Sequence, residues 1–318
     1  MRYLILALIF MITLFSCKKS DESIDETVVF EISPVDTQYI SIATPLGNLN
    51  PPDHTLPTNH VYFYFKDVTP VPVKAVAEGT IRQAYYNEWS DDYRIEIYHT
   101  TNFLYYYDHI HDIFPNVTEG ANIVMGEILG FGHGGMDLGT VDYKTENNFI
   151  FPERYHEFYL YCKEPYQYFN DSIRTMLLAK NPRIIEPRGG KIDFDRDGYL
   201  SGNWFAEGTP LIWEASSYLY ADNQIAFVYD MFDPLKVVIS CGGTLAASPF
   251  AYKVMEGPDP AFITPSSGLV KYRLNAIFFD CTLLVLMVDN RRIWVEVFTD
   301  ALPGDITYFS GGERVYVR

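Results

Sequence analysis

His109 and His111 stand two residues apart in "YYYDHIHDI", with Asp108 before them and Asp112 after. Imidazole both ligates metals and exchanges protons near neutral pH. The stretch therefore reads as a metal site, an acid/base histidine or the wet end of a strand. In a strand the two histidines share one face, because side chains alternate with a period of two. His54 and His60, with Asp53 and Asp137, add enough nitrogen and carboxylate for a zinc site. Ligand-rich composition is not yet a coordination sphere, and two polar residues closing a strand are the plainer expectation. A second group lies in "DFDRDGYLSGNW", where Asp193, Asp195 and Asp197 precede Gly198 as in the opening of a calcium loop. The twelfth position, which needs glutamate, is Trp204, so a solvated β-turn is expected and calcium is the alternative.

Elements must hold these side chains in place. A chain of 318 residues suggests two domains. Its 25 tyrosines and 22 phenylalanines, with few alanine and leucine runs, favour β structure. From Val28 to Lys144 short alternating runs such as "VYFYF", "YRIEIYH" and "NIVMGEILGFG" predict strands. Pro70 and Pro72 push their segment to an edge or a strand start, and Glu78-Gly79 and Glu119-Gly120 mark turns. "PYQYFNDSIRTMLLAKNP" repeats apolar residues at helical spacing, which predicts one helix from about Pro165 to just before Pro182. After "EPRGG" a second β pattern follows, with a hairpin at "DNR". The expected fold is mostly β: an antiparallel sandwich or barrel over 28–163, a connecting helix and linker over 164–189, and an all-β barrel or sandwich over 190–318. Tyr105, Tyr106 and Tyr107 cannot all face one core. Their strand is either buried on both faces or offers tyrosine to a ligand.

Residues 1–16 are a signal peptide, with Arg2 ahead of the apolar run "YLILALIFMITLF". "LFSC" resembles the lipobox of bacterial lipoproteins, which implies lipidation of Cys17. Residues 17–27 form a polar tether. Lys18 after the cysteine implies, by resemblance to lipoprotein sorting signals, an outer-membrane lipoprotein facing the periplasm or the surface. The net charge of −17 argues against nucleic-acid partners. Cys162, Cys241 and Cys281 allow at most one disulfide, Cys241 with Cys281, and buried free thiols are the equal alternative.

Order along the chain carries a resemblance. "HVYFYF", "PVPVKAVAEGTI", "FLYYYDHIHDI", "VTEGANIVMGEILGFG" and "MDLGTVDY" together resemble the M23 family of zinc metallopeptidases, the lysostaphin-like peptidoglycan endopeptidases. The match runs from about Gly47 to Tyr143, and its most specific parts carry fold rather than chemistry. The resemblance implies that His60 is the first zinc ligand and His109 the histidine that assists catalysis. The second ligand, an aspartate four residues after the first, falls on Tyr64. The closing "H-x-H" falls on "DLG", so that Asp137 replaces its first histidine and Gly139 its second, the third ligand. A phenol with a pKa near 10 is a poor zinc ligand at neutral pH, and glycine offers none. A catalytic zinc needs three protein ligands and a water.

The resulting expectation is a lipid-anchored envelope protein with a degenerate M23-like domain that binds peptidoglycan or an envelope partner, without a cofactor. One alternative is a zinc-dependent peptidoglycan hydrolase on a rearranged site of His60, His109 and Asp137, with His54, His111 and Tyr64 around the cleft. The other is a two-domain scaffold whose old cleft is filled. "GNW" at Gly202 to Trp204 resembles the first strand of lipocalin-like barrels, on three residues alone.

Overall fold

The structure is a computed structural model that describes residues 27–211, 221–243, 249–275 and 280–318. The signal peptide, Cys17 and all but the last residue of the tether lie outside the described residues. Strands dominate, as the aromatic and alternating composition predicts.

Nine strands form the first sheet: β1 (Ile40–Ala43), β2 (Val61–Phe65), β3 (Val71–Lys74), β4 (Gly79–Asn87), β5 (Asp92–Thr100), β6 (Phe103–His111), β7 (Asn122–Ile123), β8 (Ile128–Asp142) and β9 (Cys162–Lys163). Their order is β1-β2-β8-β6-β5-β4-β7, with β3 and β9 also paired to β8. In β2, Val61, Phe63 and Phe65 enter the core while Tyr62 and Tyr64 stand on the other face. The three tyrosines of β6 are fully buried because that strand is covered on both sides. Tyr105 and Tyr107 face the main core, and Tyr106 faces a smaller cluster with Leu104, Val141 and Phe158.

The connecting segment differs from the expected single helix. A 3-10 turn over Pro165–Tyr168 is followed by extended backbone at Phe169 and Asn170, and only then by α2 (Asp171–Leu178). Asn170 starts that helix by accepting the Ile173 amide on its side chain at 3.0 Å. A short α1 (Glu157–Leu160) precedes it and lays Phe158 over the sheet. Phe30, near the start of the described chain, makes a parallel bridge to Phe169 and packs its buried ring against Phe103, Tyr105 and Phe169.

The second domain is a closed antiparallel barrel of β10 (Gly202–Ala206), β11 (Gln224–Tyr229), β12 (Val237–Cys241), β13 (Phe250–Glu256), β14 (Leu269–Asn275), β15 (Asp280–Asp289), β16 (Arg292–Thr299) and β17 (Arg314–Val317). β17 pairs back to β10 through Phe205–Val317 and Ala206–Tyr316, which closes the ring of described strands. The "DNR" turn joins β15 to β16 as expected. Alternate residues of β15, including Leu283, Val285 and Met287, fill the interior. Outward-facing Phe205, Ala226 and Val228 belong instead to the core of the first domain. Cys162, Cys241 and Cys281 are buried free thiols.

Candidate functional site

The polar face of the first sheet carries the site. Strand β5 reads "DYRIEIYHT", and its alternation sends Asp92, Arg94 and Glu96 to one face and Ile95 and Ile97 to the core. Register pairs Asp108 of β6 with Asp137 of β8, and Asp137 with Tyr62 of β2. His60 lies just before β2 on the same face. Carboxylates and histidines from four strands therefore meet over the middle of the sheet.

A bulge brings His109 into this group. Its φ of 65° lies in the left-handed region, which non-glycine residues enter only when their surroundings impose it. The next pair after Asp108–Asp137 is Ile110–Gly132, so five steps of β8 oppose two of β6. This shift lets Asp108 and His109 both approach Asp137 and returns Ile110 to the core. His109 and His111 line the same cleft, but with separate partners. His109 binds Asp92, while the His111 ring stacks on His133 at 4.4 Å.

Hydrogen bonds fix the ring orientations. The buried His60 has Nδ1 3.1 Å from Asn59 Oδ1 and Nε2 3.0 Å from the Tyr62 hydroxyl. Because the Asn59 side-chain nitrogen donates to the Phe158 carbonyl, its oxygen is left to accept from His60 Nδ1. Burial holds the His60 pKa well below its ordinary value, so its Nε2 is a neutral acceptor. His109 Nδ1 lies 2.5 Å from Asp92 Oδ2, and Ser90 donates to the other Asp92 oxygen at 2.7 Å. Asp137 Oδ2 sits 3.4 Å from both His60 Nε2 and His109 Nε2. Burial pushes the Asp137 carboxyl up to about 7. The Asp137 carboxylate, then Asp92, pushes His109 up to about 10 against the opposing effect of burial.

His109 thus gains proton affinity on folding, and its contribution is fully present below its unfolded pKa near 6.5 and lost as pH rises through about 10. The stability advantage of the wild type over His109→Gln/Asp137→Asn, which also removes the carboxyl that would take up a proton in place of His109, is expected to shrink steadily between those values in urea titrations at fixed pH. An advantage that stays constant or grows over that window would remove the ion-pair assignment.

Arg94 dominates the other half of the cleft. Its Nη1 donates to Asp108 Oδ2 at 2.8 Å and its Nε to Glu96 Oε1 at 2.9 Å. The guanidinium lies 4.0 Å from the Tyr106 ring centre and 4.5 Å from that of Phe158. Arg82 continues the network, reaching Glu157 Oε1 at 2.6 Å and Glu96 Oε2 at 3.6 Å. Beside this filled half, an open cleft of about 430 Å³ is lined by residues including Tyr62, Tyr64, Asp92, His109, His133 and Asp137.

Among the described residues, one group of His, Cys, Asp or Glu brings three ligating atoms within 4.8 Å of one another: His60, Asp108 and Asp137. Zinc does not fit this set as it stands. The Asp108 carboxylate is already committed to Arg94. An ion bonded to that oxygen at about 2.1 Å would face the guanidinium across roughly 5 Å, a repulsion of about 7 kcal/mol at an effective dielectric of 20. The two carboxylates that would attract an ion are each matched by a cation of the chain, Asp108 by Arg94 and Asp137 by His109. The third position of the expected pattern is also closed, since a Cβ added at Gly139 would overlap the Cζ, Cε1 and Oη atoms of Tyr106.

Two other expected residues flank this group, and the calcium-like loop serves other contacts. Tyr64 is 45% exposed and stacks on Tyr62 at 6.0 Å, out at the cleft mouth. His54 lies beside His60 with ring centres 5.4 Å apart. The three aspartates of the calcium-like loop serve different partners: Asp193 faces Lys191, Asp195 accepts the Ile150 and Asn203 amides, and Asp197 pairs with Arg291. Asp92 and Arg94 carry no role in the sequence reading, and Tyr106 enters it as one of three successive tyrosines without a place at the site. The charged-apolar alternation of "DYRIEI" is the signal that could have found the first two.

No family model matches the chain, and no curated protein matches its sequence. Among solved structures it is similar to a zinc-containing peptidase from Vibrio cholerae, with 18% identity and a TM-score of 0.31 over 36% of this chain and 37% of that one. Helicobacter pylori Csd3 aligns at 16% identity and a TM-score of 0.30 over 48% and 40% of the two chains. The antimicrobial peptidase lysostaphin from Staphylococcus simulans aligns at 12% identity and a TM-score of 0.33 over 91% and 92%. The chain spans less than half the length of the first two.

Proposed function

We propose that this is a lipid-anchored protein of the cell envelope whose first domain has an M23-like β fold without the peptidase's zinc centre. The domain serves as a binding or assembly module for peptidoglycan or an envelope partner. The observation that carries the reading is the Arg94 guanidinium on Asp108, the carboxylate that would otherwise complete a ligand set with His60 and Asp137. The filling of position 139 by Tyr106 supports it from the packing side. The open half of the cleft favours binding over a scaffold with no vacancy left in it. The anchor rests on Arg2, the apolar run and "LFSC".

A zinc hydrolase on rearranged ligands has one observation in its favour, the 3.4 Å approach of both His60 Nε2 and His109 Nε2 to one Asp137 oxygen. One preparation separates the two readings. Protein purified without added metal is expected to carry far less than one zinc per chain, to leave peptidoglycan uncleaved and to sediment with peptidoglycan or with an extracted envelope protein. Near-stoichiometric zinc that resists mild chelation, together with peptidoglycan cleavage, would overturn the proposal.

A further inference from the structure

Asp108 belongs to two constellations at once. It is one of the three groups, with His60 and Asp137, that converge as a metal site would require, and it is the acceptor of Arg94 Nη1 at 2.8 Å. A partly buried carboxylate, 18% exposed, is favoured by a nearby cation, and a guanidinium tied to the neighbouring strand has no association entropy to overcome, whereas a free ion does. We propose that Arg94 is a tethered cation standing in for a metal, so that His60, Asp108 and Asp137 form a latent divalent-ion site which the guanidinium keeps closed. This inference rests on the reading of the cleft as lacking the zinc centre.

The chemistry of the latent site follows from its donors. One neutral imidazole and two carboxylates suit a borderline divalent ion such as Zn²⁺ or Co²⁺. His60 already has the orientation of a ligand, because Nδ1 is held by Asn59 and Nε2 faces Asp137 at 3.4 Å, with the Tyr62 hydroxyl, 3.0 Å away, to be displaced. Tyr106 couples charge to volume. Its ring stacks on the guanidinium and fills the space of a side chain at 139, so loss of a third ligand and gain of the internal cation are one packing arrangement. Glu96 would not be orphaned by removing Arg94, since Arg82 Nε remains 3.6 Å from it.

The test removes the guanidinium and keeps its length. Arg94→Met, and Arg94→Met/Glu96→Gln with one buried charge fewer, are chelated, dialysed and titrated with Co²⁺ beside the wild type. Visible ligand-field absorption reads the cobalt site, and thermal unfolding with Zn²⁺ reads the stabilisation. The wild type is expected to give no cobalt band and no shift. At least one variant is expected to take one equivalent and, at 100 times Kd of zinc, to rise by on the order of 5 °C in Tm, with both signals abolished by adding His60→Ala. Folded variants without a cobalt band overturn this inference and leave the proposed function standing. So do variants that stay unfolded with zinc as well as without it. A wild type that itself takes one tight equivalent at His60 overturns both.

Discussion

Gly139→Ala is expected to lower the unfolding free energy by about 3 kcal/mol or more, at the top of the usual overpacking range. The added methyl would overlap the ring of Tyr106, which has nowhere to go. That ring is fully buried, its hydroxyl donates to the Asn59 carbonyl at 3.3 Å, and Phe158 and Arg94 press on it from the other side. Tyr106→Ala alone should cost about 3–5 kcal/mol as a large-to-small core change. In that background Gly139→Ala should cost almost nothing, leaving a coupling of about 2–3 kcal/mol between the two positions. Urea unfolding of the four proteins measures it, and simple additivity would remove Tyr106 from the role described. A histidine is therefore not accommodated at position 139 by one substitution.

Arg318→Met is expected to destabilise the barrel by about 3–5 kcal/mol, because three carbonyls lose their donor at about 1–3 kcal/mol each, offset in part by the burial that disfavours the guanidinium's charge. The buried guanidinium donates to the Ser201 carbonyl at 2.7 Å, to that of Arg196 at 3.0 Å and to that of Tyr199. It lies 3.9 Å from the centre of the Trp204 ring, whose Nε1 donates to the Leu200 carbonyl at 2.8 Å. One side chain thus ties the end of the last strand to the segment that enters the first strand. Arg318→Lys should recover less than half of the loss, because an ammonium cannot spread donors over three carbonyls and stack flat on indole at once. Denaturant unfolding followed by tryptophan fluorescence reads both variants. A loss under 1 kcal/mol for Arg318→Met would dismiss this closure as decorative.

The strands were legible because alternation is a local signal. "VYFYF" and "NFLYYY" declare their faces, and the burial of three successive tyrosines follows once a second layer covers the strand. His60 and Asp137 were legible from motif order, and they do meet. The true start of the helix is not legible, because apolar spacing from Pro165 to Leu178 continues smoothly through Asn170, while that side chain caps the backbone and starts a new element. His109 could not be oriented from sequence. Its direction depends on a register shift against β8, and register between strands is a tertiary property. The role of Arg94 is illegible for a similar reason, since it comes from the carboxylate of Asp108 on another strand. The aspartates at 193, 195 and 197 match a loop pattern whose spacing says nothing about the amides and cations that claim them.

The bridge between Phe30 and Phe169 has a mechanical consequence. Anything that holds the chain upstream pulls on Phe30, whose amide donates to the Tyr168 carbonyl at 2.7 Å and whose carbonyl accepts the Asn170 amide at 3.1 Å. The two segments run parallel, so a pull along them loads both hydrogen bonds together in shear rather than peeling them one after the other. Behind them the Phe30 ring is wedged among Phe103, Tyr105 and Phe169, and drawing it out would expose the main core to water. Tension at that end meets this clamp on the core face of β6, the strand that also carries His109.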